Sequence, residues 1–287
     1  MKLSVAVADE KAGDSAFVVW RGFSRSIPKA AKFGFQGVEL ALREKEDVDV
    51  HEMRKLLQAS RLEVSCISTG QVFADLNLYL TDSDCSRRRD AENKLKGLIE
   101  LASEFGGIVN LGRVRGFVDD HQTPEEAEVL FIDSLTNLHS FACGLGVQLV
   151  IEPVNRYESN FINTVEQCAS LLCKYSLTDI GIMPDTFHMN IEDALIGKTL
   201  EKYSSLIKYI HVADSNRESP GNGHLDFDDI FSSLAKIQYE GWVSVEVLPF
   251  PDPDTAAQRS ALFLLPFLDR AKREKSLAMI NDKVNDQ

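Results

Sequence analysis

The sequence predicts a (β/α)8 barrel. Apolar runs of strand length alternate with helical patterns eight times, and no linker breaks the alternation. The length of 287 residues suits one such barrel of about 250 residues. Four successive strands in the second half each end in one metal-ligating side chain. The whole chain, residues 1–287, is therefore read as one barrel domain with a polar C-terminal tail from about 274 to 287.

Leu3 to Ala8 reads as the first strand, and the segment through Phe23 as a loop. Ser24 to Lys32 has helical spacing, with Pro28 in the first turn, where its missing N–H does little harm. Gly37 to Leu40 is the second strand, and a helix follows to about Ser60. Leu62 to Thr69 is the third strand, followed by a long connection from Val72 to about Cys85. Arg87 to Glu104 is an amphipathic helix with Leu95, Leu98, Ile99 and Ala102 on one face, ended by Gly106-Gly107. Ile108 to Gly112 is the fourth strand, with Arg113 and Arg115 just past its end. Thr123-Pro124-Glu125-Glu126 opens the next helix with a cap residue, a proline and two acids. Val147 to Ile151 is the fifth strand, and Asn163 or Thr164 caps the helix after it. Gly181 to Met183 is the sixth strand. A helix near Leu200 to Leu206 leads to the seventh, Ile207 to Ile210. Phe227 to Ile237 is helical, Val243 to Val245 is the eighth strand, and a last helix spans about Asp254 to Arg273.

Composition narrows the functional class. There are 31 basic against 44 acidic residues, a net charge of −13, which disfavours non-specific binding to nucleic acid or to an anionic membrane face. No apolar run approaches the roughly 20 residues that cross a bilayer. The five cysteines are an odd number without CxxC spacing, and MKLSVAVADE lacks a signal peptide's apolar core, so a reducing, cytoplasmic setting is expected.

The fifth strand runs into Glu152-Pro153, the sixth into Asp185, the seventh into His211 and the eighth into Glu246. Strand ends on one side of such a barrel share one site. Any one of these residues alone is more often solvated, paired or packed than ligating. Together, buried and unpaired, they would cost several kcal/mol each, roughly, and a shared cation removes that cost. Three carboxylates and one imidazole favour Mn²⁺ or Mg²⁺, with Co²⁺ or Ni²⁺ able to substitute. Glu158, His188 and Arg217 follow three of these ligands closely and are candidates for holding a substrate. Arg113 and Arg115 are candidates for a substrate carboxylate or phosphate, or are solvated. Cys66 reads as packing. Gly221 and Gly223 read as loop flexibility rather than a phosphate loop, because no strand–GxGxxG–helix context surrounds them.

IEPVNRYESNFINT, PDTFHMNIED, HVADSNRESPGNGHLDF and SVEVLPFP closely resemble the ketose 3-epimerase branch of the xylose-isomerase-like TIM barrels. So do KLSV at the start, STGQ after the third strand and GRVRG after the fourth, so the resemblance covers about Lys2 to Arg270. Within the branch the chain is most similar to the 5-keto-L-gluconate epimerase type, then to D-tagatose and D-psicose 3-epimerases. The resemblance implies one divalent cation, Mn²⁺ before Mg²⁺ or Co²⁺, on Glu152, Asp185, His211 and Glu246. It implies substrate contacts at Glu158, His188 and Arg217.

The expected activity is inversion of C3 of a 2-ketose or keto-acid sugar through a metal-stabilised enediolate. Glu152 and Glu246, from roughly opposite barrel walls, exchange protons with its two faces. A small-molecule sugar is the expected partner, and relatives are often dimers or tetramers. Three alternatives stay open: an aldose–ketose isomerase of the hydroxypyruvate type on the same site, a multi-zinc endonuclease IV-like repair enzyme, and a non-catalytic sugar-binding barrel.

Overall fold

In the computed structural model, residues 1–13 and 17–285 are described, with side chains to Ala271. Residues 14–16 of the first loop and the last two residues of the polar tail lie outside the described residues. The elements in order are β1 (Lys2–Ala8), β2 (Trp20–Arg21), α1 (Phe23–Lys32), β3 (Gly37–Ala41), α2 (Val50–Ser60), β4 (Glu63–Ser68), α3 (Gly70–Leu76), α4 (Cys85–Ser103), β5 (Ile108–Leu111), α5 (Pro124–Gly144) and β6 (Gln148–Ile151). Then come α6 (Val165–Lys174), β7 (Gly181–Ile182), α7 (Thr186–Glu192), α8 (Ile196–Lys202), β8 (Tyr209–Val212), α9 (Phe227–Lys236), β9 (Trp242–Val245) and α10 (Pro253–Asn285).

All strand pairings are parallel, in the order β7-β6-β5-β4-β3-β1-β9-β8, with β2 paired to β1 outside that path. Single parallel bridges, Ile182 to Ile207 and Asp185 to His211, join β7 to β8 and close the ring. The result is a barrel of eight parallel strands wrapped by helices.

Helix starts follow the cap chemistry. Thr123 and Thr164 accept from the backbone N–H three residues on, and Glu126 and Gln167 reach back, two reciprocal capping boxes. Asp49, Asp84 and Asp226 cap α2, α4 and α9. Between the ring and the helices Leu, Ile, Val and Phe side chains form one continuous core. Inside the ring, Cys66 packs with Val150, Met183 and Tyr209.

Several segments differ from the sequence reading, among them α8, which spans Ile196–Lys202 rather than about Leu200 to Leu206, and α10, which runs on to Asn285 rather than ending near Arg273. The expected connection from Val72 contains α3, whose seven residues are too few to show a helical period. The loop before α1 contains β2, a two-residue pairing of Trp20 and Arg21 with β1. The segment after Asp185 forms α7, capped by Asp185 itself, which accepts from Phe187 N at 2.7 Å.

Candidate active site

Glu152, Asp185, His211 and Glu246 come from adjacent strands β6 to β9, and each is tied to the neighbouring strand. Glu152 N donates to Leu111 O, His211 N to Pro184 O and Glu246 N to Val212 O, at 3.4, 2.9 and 3.2 Å. Asp185 bridges directly to His211. The backbone ladder thus brings all four side chains to one level at the C-terminal end of the barrel. One ligating atom from each lies within 4.8 Å of those of the other three. The two glutamates expected on opposite walls converge near the barrel axis.

The His211 ring sits at the centre. Its Nδ1 is 3.1 Å from Glu152 Oε1 and 3.8 Å from Glu246 Oε2. Its Nε2 lies 2.9 Å from either carboxylate oxygen of Glu39. Glu152 Oε2 accepts from Asn110 Nδ2 at 2.8 Å. Asp185 Oδ2 is buried and has no hydrogen-bond partner.

Arg217 forms the roof. It donates to Glu158 Oε1 at 2.9 Å and to Glu246 Oε2 at 2.8 Å. Its guanidinium lies 3.6 Å from the ring centre of Phe17 and 4.8 Å from that of Phe187. The backbone at Arg217 has φ of 60°, the left-handed region that costs a non-glycine residue strain. His188 Nδ1 accepts from Asn155 Nδ2 at 2.7 Å and is 4.0 Å from Glu158 Oε1. Its Nε2 is 3.8 Å from Asp185 Oδ2. Glu158, His188 and Arg217 therefore join the four strand-end residues around one cavity, also lined by Phe17, Gln71, Asn110 and Arg113.

Electrostatics show what this cluster lacks. Burial raises Asp185 to about 6 against the pull of Arg217 and His211. Burial likewise raises Glu246 to about 7 against His211 and Arg217. Burial also opposes the charge on Glu152, but His211, by charge and hydrogen bond, holds that carboxyl well below the usual range. Burial disfavours a charged His211, yet Glu39, Glu246 and Glu152 raise it well above an ordinary imidazole. Burial and then Arg217 lower His188 to about 3, so this ring is neutral. Two carboxyls are thus driven toward protonation by burial that the nearby positive charge does not offset, and one buried carboxylate oxygen has no donor. A divalent cation supplies both the charge and the partner, and a donor set of three carboxylates and an imidazole suits a hard or borderline ion.

Arg115 and the loop of Gly221 and Gly223 differ from the sequence reading. Arg115 is wholly buried and donates to the carbonyls of Gly112, Phe161 and Ile162 at 2.9, 3.1 and 3.0 Å, pinning the β5 loop to the β6 loop. Arg113 stays beside the cavity, 5.8 and 5.7 Å from the ring centres of Phe17 and Phe73. The loop of Gly221 and Gly223 is held rather than loose, because Asp214 accepts from the N–H groups of Ser215, Gly221 and Leu225 at 2.7, 2.8 and 3.1 Å. Cys66 is buried packing, and burial raises its thiol well above the ordinary value. Sequence reasoning missed Glu39, Asn110, Asn155, Phe17 and Phe187. Glu39 and Asn110 carried a signal, each being the one polar side chain in an otherwise apolar strand, GVELA and IVNL.

A profile of xylose isomerase-like TIM barrels matches residues 27–267. The chain belongs to that family. Among curated relatives of this xylose isomerase-like barrel, a ketose 3-epimerase of Arthrobacter globiformis is 28% identical over 227 residues, 78% of this chain and 77% of that one. A 3-dehydro-D-guloside 4-epimerase of Escherichia coli strain K12 is 35% identical over 114 residues, 40% of this chain and 44% of its own. A solved structure of an L-ribulose 3-epimerase has a TM-score of 0.80 at 24% identity, over 96% of this chain and 98% of that one, a likeness of fold. No helix among the described residues is long and apolar enough to cross a membrane.

Proposed function

We propose that this protein is a divalent-metal-dependent carbohydrate epimerase. It is an enzyme of the isomerase class that inverts the carbon beside the carbonyl of a keto sugar, C3 of a 2-ketose or keto-acid sugar. The observation that carries the reading is the convergence of Glu152, Asp185, His211 and Glu246 within 4.8 Å, with Asp185 Oδ2 buried and unpartnered. Those four residues hold the ion, Mn²⁺ before Mg²⁺ or Co²⁺. When bound, the ion supplies Lewis-acid charge that acidifies the C–H beside a carbonyl.

The rest falls to the chain. One of Glu152 and Glu246 removes the proton from one face of the sugar and the other returns a proton to the opposite face. Two groups are needed because a single base would hand the proton back to the face it left. Arg217 fixes the Glu246 and Glu158 carboxylates and covers the cavity with its stacked guanidinium. Neutral His188, held by Asn155, offers Nε2–H to a substrate oxygen. Glu158 accepts from a sugar hydroxyl.

The stretch shared with the 3-dehydro-D-guloside 4-epimerase supports the same chemistry one carbon along, since that relative's name also places inversion beside a carbonyl. The test is exchange in D₂O by the metal-loaded protein, read by NMR. The substrates are D-fructose, D-tagatose, 5-keto-gluconate, 3-dehydro-D-guloside and hydroxypyruvate. Deuterium at C3 of D-fructose or D-tagatose, or at C4 of 5-keto-gluconate (the carbon beside its carbonyl), with an inverted product establishes the ketose 3-epimerase, and deuterium at C4 of 3-dehydro-D-guloside the 4-epimerase. Exchange confined to C1 and C2 of the ketoses, or to the hydroxymethyl carbon of hydroxypyruvate, would replace this reading with aldose–ketose isomerisation.

A further inference from the structure

We infer that Glu39 is a positioning residue that fixes His211 in the tautomer whose Nδ1 faces the metal site, an inference that rests on the metal reading above. Glu39 lies in β3, across the His211 ring from Glu152 and Glu246, which face Nδ1, and is fully buried. Both of its carboxylate oxygens are 2.9 Å from His211 Nε2. Its other donor is Tyr209 O–H, at 3.0 Å from Oε2. That hydroxyl in turn sits 2.7 Å from Ser65 Oγ and 3.1 Å from Ser4 Oγ. A phenol has one proton, so when it donates to Glu39 it accepts from the two serines, and the chain of donors points one way.

The consequence for the ring follows from counting donors. A carboxylate offers only acceptor oxygens, so each of its two partners, Tyr209 O–H and His211 Nε2, faces it as a donor. His211 Nε2 must therefore carry a proton, which leaves the Nδ1 lone pair free to ligate. The carboxylate also adds electron density to the ring and makes Nδ1 a stronger donor. Four strands, β1, β3, β4 and β8, contribute to this relay, so the imidazole plane is held from beneath by the barrel interior.

The test uses the full chain stripped of metal and titrated with Mn²⁺ by calorimetry. Wild type should bind one ion, and E39Q should bind it about 10–100-fold more weakly, the range found when such supporting carboxylates are removed. Y209F, which leaves Glu39 in place with one donor fewer, should lose less. A second readout follows the ring itself: in Mg²⁺-loaded, ¹⁵N-labelled protein the His211 Nε2–H proton should resonate far downfield, and E39Q should move it upfield. A role confined to packing would lower the melting temperature of E39Q but leave the affinity of the folded protein and the proton shift unchanged. E39Q binding Mn²⁺ as tightly as wild type overturns the assignment while the metal reading stands. Wild type that binds no ion overturns both. If E39Q does not fold, Y209F with unchanged affinity and unchanged proton shift overturns it instead.

Discussion

Replacing Asp185 by Asn should stabilise the metal-free protein and abolish its response to metal. Asp185 Oδ1 already caps α7, a role the Asn carbonyl keeps, whereas Oδ2 is buried without a partner. An amide N–H in that place would have the neighbouring carboxylates to donate to. Burial raises the Asp185 carboxyl from 3.8 to about 6. At neutral pH that shift corresponds to roughly 3 kcal/mol of destabilisation of the ionised form. Since an amide is not a perfect substitute, D185N should recover about 1–3 kcal/mol, a rise of roughly 2–10 °C in melting temperature. The pH dependence has a definite sign. A carboxyl whose folded pKa lies above its unfolded one binds more protons when folded, so the contribution of Asp185 to stability falls as pH rises from about 4 to about 6. The advantage of D185N should therefore be absent near pH 4 and complete by pH 7. Metal acts in the opposite direction: an ion at 100 times its dissociation constant stabilises wild type by about 2.7 kcal/mol. Calorimetric melts with EDTA or Mn²⁺ at pH 4 and pH 7 measure all of this. A D185N protein that melts below wild type in EDTA at pH 7, or that still gains stability from Mn²⁺ as wild type does, would refute the reasoning.

E152Q and E246Q should each lose about 10²–10⁴-fold in kcat while keeping a wild-type circular dichroism spectrum, and near-normal turnover in either would remove the two-carboxylate scheme. R217A leaves Glu246 and Glu158 without their shared cation. It should cost about 3–5 kcal/mol in urea unfolding. R217K, which keeps the charge but loses the fork and the stacking on Phe17, should fall between. R115M should lower stability by several kcal/mol, roughly, because three buried carbonyls lose their donor, yet metal affinity should hold; a selective loss of metal binding would show that Arg115 acts on the site.

Much of this architecture was legible in the chain because its signals are local. Each barrel strand is a short apolar run, and each of Glu152, Asp185 and Glu246 interrupts one at its end, so register alone brings them together. Thr123 and Thr164 announced their helices by capping boxes. What stayed hidden depends on distance in sequence. Nothing near Glu39 tells that its partner is 172 residues away. Phe17 lies in a loop with no pattern, and its place under Arg217 is set by the fold. Arg113 and Arg115 look alike two residues apart. One faces the cavity and the other is swallowed by carbonyls, because the short 3-10 turn Arg113–Arg115 directs them apart.

The cavity is lined from two arcs of the ring. Glu152, Glu158, His188, Arg217 and Glu246 come from β6 onward, whereas Phe17, Ser68, Gln71, Asn110 and Arg113 come from β5 and before. If the proposed function holds, the proton-transferring carboxylates and their polar neighbours sit on one semicircle, and the other adds the rest of the wall that a sugar meets. On that reading a chain built this way is retuned to a differently shaped or charged sugar by changes at Phe17, Ser68, Gln71 and Arg113, with Glu39 and Asn110, which hold His211 and Glu152, left in place.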